Sequence, residues 1–296
     1  MRKLGERLGD GRNLVYTLPQ LWYAASRAKM PDLAKRFNGW RIGVYIPLVA
    51  VTFFAMVSGA FNRFVVLGTG IVALVVADLA LRAVRPRFLR TSPVRMPVPY
   101  DRFRKEVVGR WSQVYGGPPP GAVDEGAALP PAPQRPRFAV LCPDRGVLTC
   151  LAANNVSHTW GMVLADRIDR LPPELPVLVL HDASLPGVLF ASRAREALGS
   201  RAVQVGLAPR ALLGKEKPLR LRDGHPEPSE VARLHREPLS EAEIVWLAEG
   251  WWSPLAAVPP AKLLAALGSA VHRVEEAGDP DRRRARAVGF LTWPTG

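Results

Sequence analysis

Cysteine is scarce in this chain, which holds only Cys142 and Cys150. Their spacing matches neither a zinc-ligand pattern nor the Cys-x-x-Cys pair of redox enzymes. Both lie among apolar residues, as small core residues of a protein in a reducing compartment do. The chain also has no Walker loop, no G-x-G-x-x-G, H-E-x-x-H or G-x-S-x-G motif, and no internal repeat. The sequence therefore indicates no zinc module, thiol–disulfide oxidoreductase, P-loop enzyme, zinc protease or serine hydrolase.

Charge is missing from two stretches near the N-terminus. Residues 42–61 are 20 residues without a charged side chain, and residues 64–81 carry only Asp78. At about 1.5 Å per residue, such a helix matches the roughly 30 Å hydrocarbon core of a bilayer. A soluble hairpin would need a polar face, which neither stretch has. We predict a transmembrane helical hairpin at 42–82, with spans at 42–61 and 64–81. The first 40 residues lack the apolar core of a secretory signal.

The formal charge of +14 is concentrated around the two predicted spans, and the turn between them carries only Arg63. The positive-inside rule then predicts a multi-pass protein of the inner or plasma membrane with both termini in the cytoplasm. We expect the flanks to contact anionic lipid headgroups, at about 1 kcal/mol per basic residue. Nucleic acid is a partner that this distribution does not favour. The predicted lipid-contacting residues are Lys35, Arg36, Arg41, Arg82, Arg85, Arg87 and Arg90.

Asp78 is the one charge inside the predicted spans. An acid in a membrane helix is a candidate proton relay or ion pathway. Asp78 lies four residues before Arg82 at the cytoplasmic end, so an ion pair on one helix face is the favoured interpretation. Gly68 and Gly70 predict close packing of the hairpin, although no strict G-x-x-x-G is present. A homo-oligomer is compatible with this pattern.

The other segments differ in composition. Residues 1–41 are basic and fit either an amphipathic helix on the membrane surface or a helix packed on the soluble part, and both interpretations stay open. Residues 83–115 are a basic juxtamembrane segment with a short helix at 100–115. Residues 116–137 are rich in proline and glycine and predict a linker. Residues 138–296 predict a cytoplasmic α/β domain with a helical C-terminal part.

Apolar runs and helical patterns alternate after the linker. We predict strands at 138–142, 176–180 and 202–205, and helices at 147–153, 158–171 and 188–198. The fold class is therefore α/β, a transmembrane hairpin followed by a mostly parallel, Rossmann-like sheet. Ligand sites of such sheets lie outside the carboxyl ends of the strands, here the loops 143–146, 181–187 and 206–210. Ser240 and Glu243 predict a capping box. We expect Trp251 and Trp252 to lie in a loop that covers the sheet or contacts a membrane or a partner.

The loop His-Asp-Ala-Ser-Leu-Pro-Gly at 181–187 is the leading candidate site. An acid directly after a buried strand can hold a divalent cation, and the amides of a following helix can hold an anion. The simpler interpretation is that Asp182 or Ser184 caps that helix. The candidate ligand-binding residues are Asp144, His181, Asp182, Ser184 and Gly187. Asp144 and Asp182 are the candidate ligands for Mg²⁺ or Mn²⁺.

Residues 138–213 combine a strand, an acidic turn with Asp144, a helix, and a second strand ending in His-Asp-x-x-x-x-Gly. This order resembles a Toprim domain, the metal-binding α/β fold of topoisomerases and primases. The resemblance implies phosphodiester chemistry by carboxylates clustered on magnesium. Asp144 stands near the place of the family's glutamate, and Ser184 replaces the second acid of its Asp-x-Asp motif, where Asp182 is the first. The resemblance therefore implies a Toprim-like scaffold with incomplete catalytic motifs.

Three hypotheses of function remain at this point. The favoured one is a membrane-anchored cytoplasmic α/β module with a binding or regulatory role toward a small molecule or protein, without turnover. The alternative is a membrane-tethered, metal-dependent Toprim-like enzyme that acts on phosphodiesters. The third is an oligomeric transport component that uses Asp78.

Overall fold

The computed structural model describes residues 1–27, 29–30, 32–58, 62–215 and 218–278. The protein is mixed α/β, with two long apolar helices near the N-terminus and sheets of parallel strands. The α-helices are α1 Arg2–Leu8, α2 Leu18–Arg27, α3 Leu33–Val57, α4 Arg63–Thr91, α5 Tyr100–Arg102, α6 Gly109–Tyr115, α7 Arg145–Ala153, α8 Val156–Trp160, α9 Leu185–Leu198, α10 Arg210–Leu213, α11 Pro228–Leu234, α12 Glu241–Ala248 and α13 Pro260–Gly278. The strands are β1 Tyr16–Thr17, β2 Ala122–Val123, β3 Phe138–Leu141, β4 Met162–Ala165, β5 Val177–Val179, β6 Ala202–Gln204, β7 Leu221–Arg222 and β8 Trp251–Trp252. A π-helical segment, Phe103–Val108, joins α5 to α6.

Helices α3 and α4 are long and apolar enough to cross a membrane. Helix α3 begins before its predicted span and α4 ends after its own, because the basic and aromatic residues beside the apolar runs continue the helices. At its other end α3 stops at Val57, short of the predicted end of the span, and Ser58 is its C-cap residue. Asp32 caps α3 by accepting hydrogen bonds from the N–H groups of Ala34 and Lys35. The end of the first predicted span, at Phe61, lies outside the described residues. Large apolar side chains are exposed on both helices, up to 86 % for Phe64, which is unfavourable in water but suits contact with lipid.

The two helices lie in close contact at Gly70, where a Cβ atom would overlap the side chain of Thr52. Gly68, the other predicted packing glycine, has no described atom within 4 Å of such a Cβ position. Asp78 and Arg82 form the predicted ion pair, with 2.8 Å between Oδ2 and Nε. The contact between α3 and α4 therefore involves one small residue, Gly70, and one polar cluster around Asp78, toward the start of α3 and the end of α4.

The predicted lipid-contacting residues all lie on these two helices. Arg41 is half-buried at the helix contact. The exposed members are Lys35, Arg36, Arg82, Arg85 and Arg87. The side chain of Arg90 lies outside the described part of the chain.

The segment before the hairpin packs on the α/β domain. The backbone N–H and carbonyl of Val15 are both bonded to the side-chain amide of Asn154, at 2.9 and 2.7 Å. Strand β1 pairs in parallel with β2, which lies within the predicted linker. Residues 15–17 of this segment therefore contact the α/β domain and the predicted linker.

The chain segments on both sides of the hairpin also meet each other. The indole Nε1 of Trp22, before the hairpin, donates a hydrogen bond of 2.8 Å to the carbonyl of Val98, after it. The apolar cluster that joins them is built from Leu8, Tyr16, Leu18, Leu21, Phe103 and Val108. Because of this junction, the two ends of the hairpin lie beside one another.

The main sheet has four parallel strands in the order β4-β3-β5-β6. Val140 and Leu178 face α7 and α13, whereas Leu141 and Val179 face α9. Helices thus cover both faces, which explains why the strands are continuous apolar runs rather than alternating ones.

One predicted helix, 158–171, is wrong. Helix α8 ends at Trp160, and Gly161 turns the chain in a left-handed conformation with φ of +62°. Residues Met162–Ala165 then form the edge strand β4. A run of four apolar residues fits a strand or a helix equally well, and the glycine was the signal that separates them.

The C-terminal part also tests two local predictions. Ser240 and Glu243 form the predicted capping box at the start of α12. Trp251 and Trp252 do not lie in a loop, because they form β8, which pairs antiparallel with β7.

Candidate functional site

The strand order of the main sheet reverses between β3 and β5. Strand β3, the first of this sheet in chain order, lies between β4 and β5. The connection from β3 to β4 therefore runs in the opposite direction to the connection from β5 to β6. In open parallel sheets such a reversal leaves a crevice at the carboxyl ends of the two strands. Asp144 follows β3 and Asp182 follows β5, so the topology brings the two predicted acids to the same crevice.

Asp144 begins helix α7. Its Oδ1 accepts a hydrogen bond of 3.1 Å from the N–H of Val147, which makes it the N-cap residue. Burial raises the pKa of the Asp144 carboxyl, while the N–H groups of Val147 and Gly146 act in the opposite direction.

Asp182 does not cap the following helix. Its Oδ1 accepts a hydrogen bond of 2.6 Å from the N–H of Leu255, in the short 3-10 helix Leu255–Ala257 before α13. Burial, with a smaller contribution from the nearby charge of Asp144, raises the pKa of Asp182 to about 6, while the hydrogen bond from the N–H of Leu255 acts in the opposite direction. At neutral pH the group is therefore mainly ionised, but a fall in pH of about two units makes it mainly neutral.

The other predicted residues of the loop have structural roles. Ser184 caps α9, accepting a hydrogen bond of 3.0 Å from the N–H of Gly187. Gly187 has no space for a side chain, because a Cβ atom would overlap the backbone oxygen of Asp182. His181 is 8 % exposed, its Nδ1 lies 2.8 Å from the carbonyl oxygen of Asp182, and burial lowers its pKa. The ring is packed against Gly206, where a Cβ atom would overlap it.

Among the described residues, no third metal-binding side chain joins the two predicted metal ligands, Asp144 and Asp182. Magnesium and manganese sites in proteins need several oxygen ligands. Asp144 and Asp182 each already accept a backbone hydrogen bond. Within the described ranges, no group of three or more His, Cys, Asp and Glu side chains is arranged to hold a metal ion. The pair alone does not fit such a site.

A cleft of about 400 Å³ opens beside Asp182, between the start of α9 and the paired strands β7 and β8. Three of its lining side chains are carboxylic acids and two are tryptophans. The lining includes Asp182, Ser184, Pro186, Asp223, Glu230, Leu247, Trp251 and Trp252. A cleft lined by both carboxylic acids and aromatic rings favours a ligand with a positive charge and an apolar body.

Backbone pairing connects this cleft to the end of the second long helix. Val94, just after α4, pairs antiparallel with Arg222, and β7 pairs with β8. Ser253, next along the chain, pairs with Ala183 in the candidate loop. We call these four paired segments the ribbon. It runs from the end of α4 to the residue after Asp182.

Arg222 holds the ribbon to α4. It is 1 % exposed, and its guanidinium donates hydrogen bonds to the carbonyls of Ser92, at 2.9 Å from Nε, and Leu89, at 2.7 Å from Nη2. The same group lies 4.5 Å from the ring centroid of Trp251. The last carbonyls of a helix have no partner within the helix, so an arginine here caps α4 from the α/β domain.

Sequence reasoning missed Tyr23, Arg222, Asp223 and Glu230. Tyr23 lies on α2 near both crevice acids: burial, then the charges of Asp182 and Asp144, raise its pKa. A signal was present for Asp223, because the segment Asp-Gly-His-Pro-Glu-Pro at 223–228 has the composition of a turn. None existed for Tyr23, which comes to the crevice only through tertiary packing.

No protein-family model matches this chain, and no match was found among the curated proteins or the solved structures.

Proposed function

We propose that this chain is a membrane-anchored module whose cytoplasmic α/β domain binds a ligand with a positively charged group. Helices α3 and α4 span the inner or plasma membrane as a hairpin, and both chain ends lie in the cytoplasm. The observation that carries the binding role is the cleft of about 400 Å³ that Asp182, Trp251 and Trp252 line.

The packing of the flanks supports a hairpin rather than two separate anchors. The hydrogen bond between Trp22 and Val98 joins the chain before α3 to the chain after α4. Two segments in contact cannot lie on opposite sides of a bilayer. The basic residues near these ends, compared with Arg63 alone at the turn, favour the cytoplasm for this side.

The charge of the cleft supports a cationic ligand. The N-terminus of α9 also opens here and brings about half a positive charge. Three carboxylates, Asp182, Asp223 and Glu230, outweigh it once they are ionised. The two tryptophans add apolar and aromatic surface, which stabilises organic cations better than hydrated metal ions.

The helices on both faces and the reversed strand order support a Rossmann-like, doubly wound fold for the main sheet. A Toprim-like relationship rests on element order alone. Metal-dependent phosphodiester chemistry has weaker support than cation binding, since Asp144 and Ser184 serve as helix caps.

A titration with N-acetyl-arginine amide tests the binding role. The full chain, labelled with 5-fluorotryptophan in detergent, is followed by ¹⁹F NMR, and the signals of Trp251 and Trp252 are assigned by Trp→Phe variants. We expect saturable shifts of these two signals at pH 8. Because the pKa of Asp182 is about 6, one carboxylate charge is largely lost at pH 5. At pH 5 we expect binding to be roughly fivefold weaker, because the lost interaction between the Asp182 carboxylate and the cation contributes about 1 kcal/mol.

Two matched controls define the outcome. N-acetyl-citrulline amide has nearly the same shape without the charge, and it should cause no shift. Asp182→Asn should remove most of the pH dependence, whereas Glu196→Gln, on the exposed side of α9, should leave it unchanged. Equal shifts from the arginine and citrulline compounds, or none from either, would show that the cleft does not bind cations.

A further inference from the structure

A groove of about 460 Å³ runs between α3 and α4 near their cytoplasmic ends. Its walls include the apolar side chains of Val49, Leu74 and Val75. Arg41 and Arg82 line it as well. The groove therefore combines surface that suits hydrocarbon with two guanidinium groups.

The polar and apolar residues occupy opposite ends of this groove. Along α3, Val49 lies eight residues beyond Arg41, which is about 12 Å toward the hairpin turn. Along α4, which runs the other way, Leu74 lies eight residues before Arg82, again on the turn side. The groove is thus cationic toward the α/β domain and apolar toward the centre of the hairpin.

The polar end has an excess of positive charge. Asp78 accepts a bond of 2.5 Å from Arg41 Nη2 and another of 2.5 Å from the hydroxyl of Tyr45, and Arg82 Nε lies 2.8 Å from its other oxygen. One carboxylate shared by two guanidinium groups leaves a net charge of +1. The Arg82 side chain remains 70 % exposed, so part of that charge is presented outward.

We propose that this groove binds one anionic phospholipid, with the phosphate at Arg41 and Arg82 and an acyl chain along Val49, Leu74 and Val75. The proposal rests on the proposed membrane insertion of the hairpin. Charge complementarity identifies the headgroup, because a zwitterionic lipid would bring a second positive charge to an end that already carries an excess of one. The apolar end requires hydrocarbon, which a free phosphate lacks.

The surface beside the groove continues the apolar track. Ile42, Ile46 and Phe53 line a second, almost wholly apolar depression along α3, which shares Tyr45 and Val49 with the groove. A second acyl chain of the same lipid fits this position. Asp78 then acts as a positioning residue, since it fixes both guanidinium groups at the mouth of the groove.

Native mass spectrometry of the full chain tests this site. The protein is reconstituted in nanodiscs of equal phosphatidylglycerol and phosphatidylcholine with identical acyl chains, then released into mild detergent. We expect one retained phosphatidylglycerol per chain. Arg82→Gln and Arg41→Gln should each lower this retention roughly fivefold, as expected for one basic contact. Arg82→Lys should keep most of it. Arg63→Gln makes the same charge change at the exposed start of α4, 19 residues before Arg82 and outside the groove, and should keep it fully.

Equal retention of the two lipids, or an equal loss in Arg63→Gln and Arg82→Gln, would overturn the proposal. Carbonate extraction of the same membranes separates this failure from a failure of the proposed function. A chain that resists carbonate but does not select phosphatidylglycerol is an inserted hairpin without the lipid site. A chain that carbonate removes is not inserted, and both proposals then fall.

Discussion

Replacing Arg222 by methionine is expected to lower the free energy of unfolding by about 3 kcal/mol. The change removes charge-assisted hydrogen bonds to the carbonyls of Leu89 and Ser92 and the contact with the ring of Trp251. Such bonds contribute roughly 1.5–3 kcal/mol each, and the ring contact about 1 kcal/mol more, partly offset by the lower desolvation cost of methionine. Urea unfolding of the full chain in detergent, followed by tryptophan fluorescence, measures the loss.

Two further variants show whether the ribbon depends on the shape of the arginine. Arg222→Lys keeps a charge but not the planar fork, so an intermediate loss is expected. Arg233→Met makes the same change at an exposed position of α11, where the effect should stay within about 0.5 kcal/mol. If Arg222→Met and Arg233→Met were equally mild, the end of α4 would not be held by Arg222.

Replacing Gly187 by alanine is expected to destabilise the protein by about 2–3 kcal/mol. Gly187 is a helical residue, and at an open helical position alanine would instead stabilise by up to about 1 kcal/mol. Here the added Cβ meets the backbone oxygen of Asp182, which cannot move without shifting the candidate loop, and lies 3.0 Å from Ser184 Oγ. The overlap therefore outweighs the helix propensity of alanine, and the substitution lowers the free energy of unfolding.

The matched control is Gly214→Ala, since a Cβ there has no described atom within 4 Å and φ is −84°. Its effect on the urea midpoint should stay within about 0.5 kcal/mol of wild type. A stabilising effect of Gly187→Ala would mean that this glycine serves another purpose, such as the approach of a ligand to the backbone.

The hairpin was the most predictable feature, because a long run without charge has few structural solutions. Its boundaries were less predictable. Helix α3 begins at Leu33 and α4 ends at Thr91, since helical hydrogen bonding continues through the basic residues beside each apolar run. The position of residues 1–27 was open in the sequence, because the same mixture of aromatic and basic residues suits a membrane surface and a protein surface.

The site was predictable only in part. Asp144 and Asp182 were placed correctly at strand ends, but their common crevice depends on the order of strands, which no local pattern specifies. Arg222 shows most clearly what a sequence pattern cannot predict about the site. It alternates with Leu219 and Leu221, so periodicity predicts exposure. The residue is buried because the end of α4 supplies acceptors for its guanidinium.

The proposed function requires that the hairpin spans a membrane and leaves both ends of the chain on the cytoplasmic side. Single cysteines at Ser58, near the turn, and at Arg12 and Ser229, in the two flanking parts, are exposed positions for a membrane-impermeant maleimide. Cys142 and Cys150 are each 1 % exposed and stay silent in the folded protein. In sealed right-side-out vesicles, Ser58→Cys should be labelled from outside, and Arg12→Cys and Ser229→Cys only after the vesicles are opened. Labelling of Ser229→Cys from outside, or of Ser58→Cys only after opening, would contradict the proposed topology.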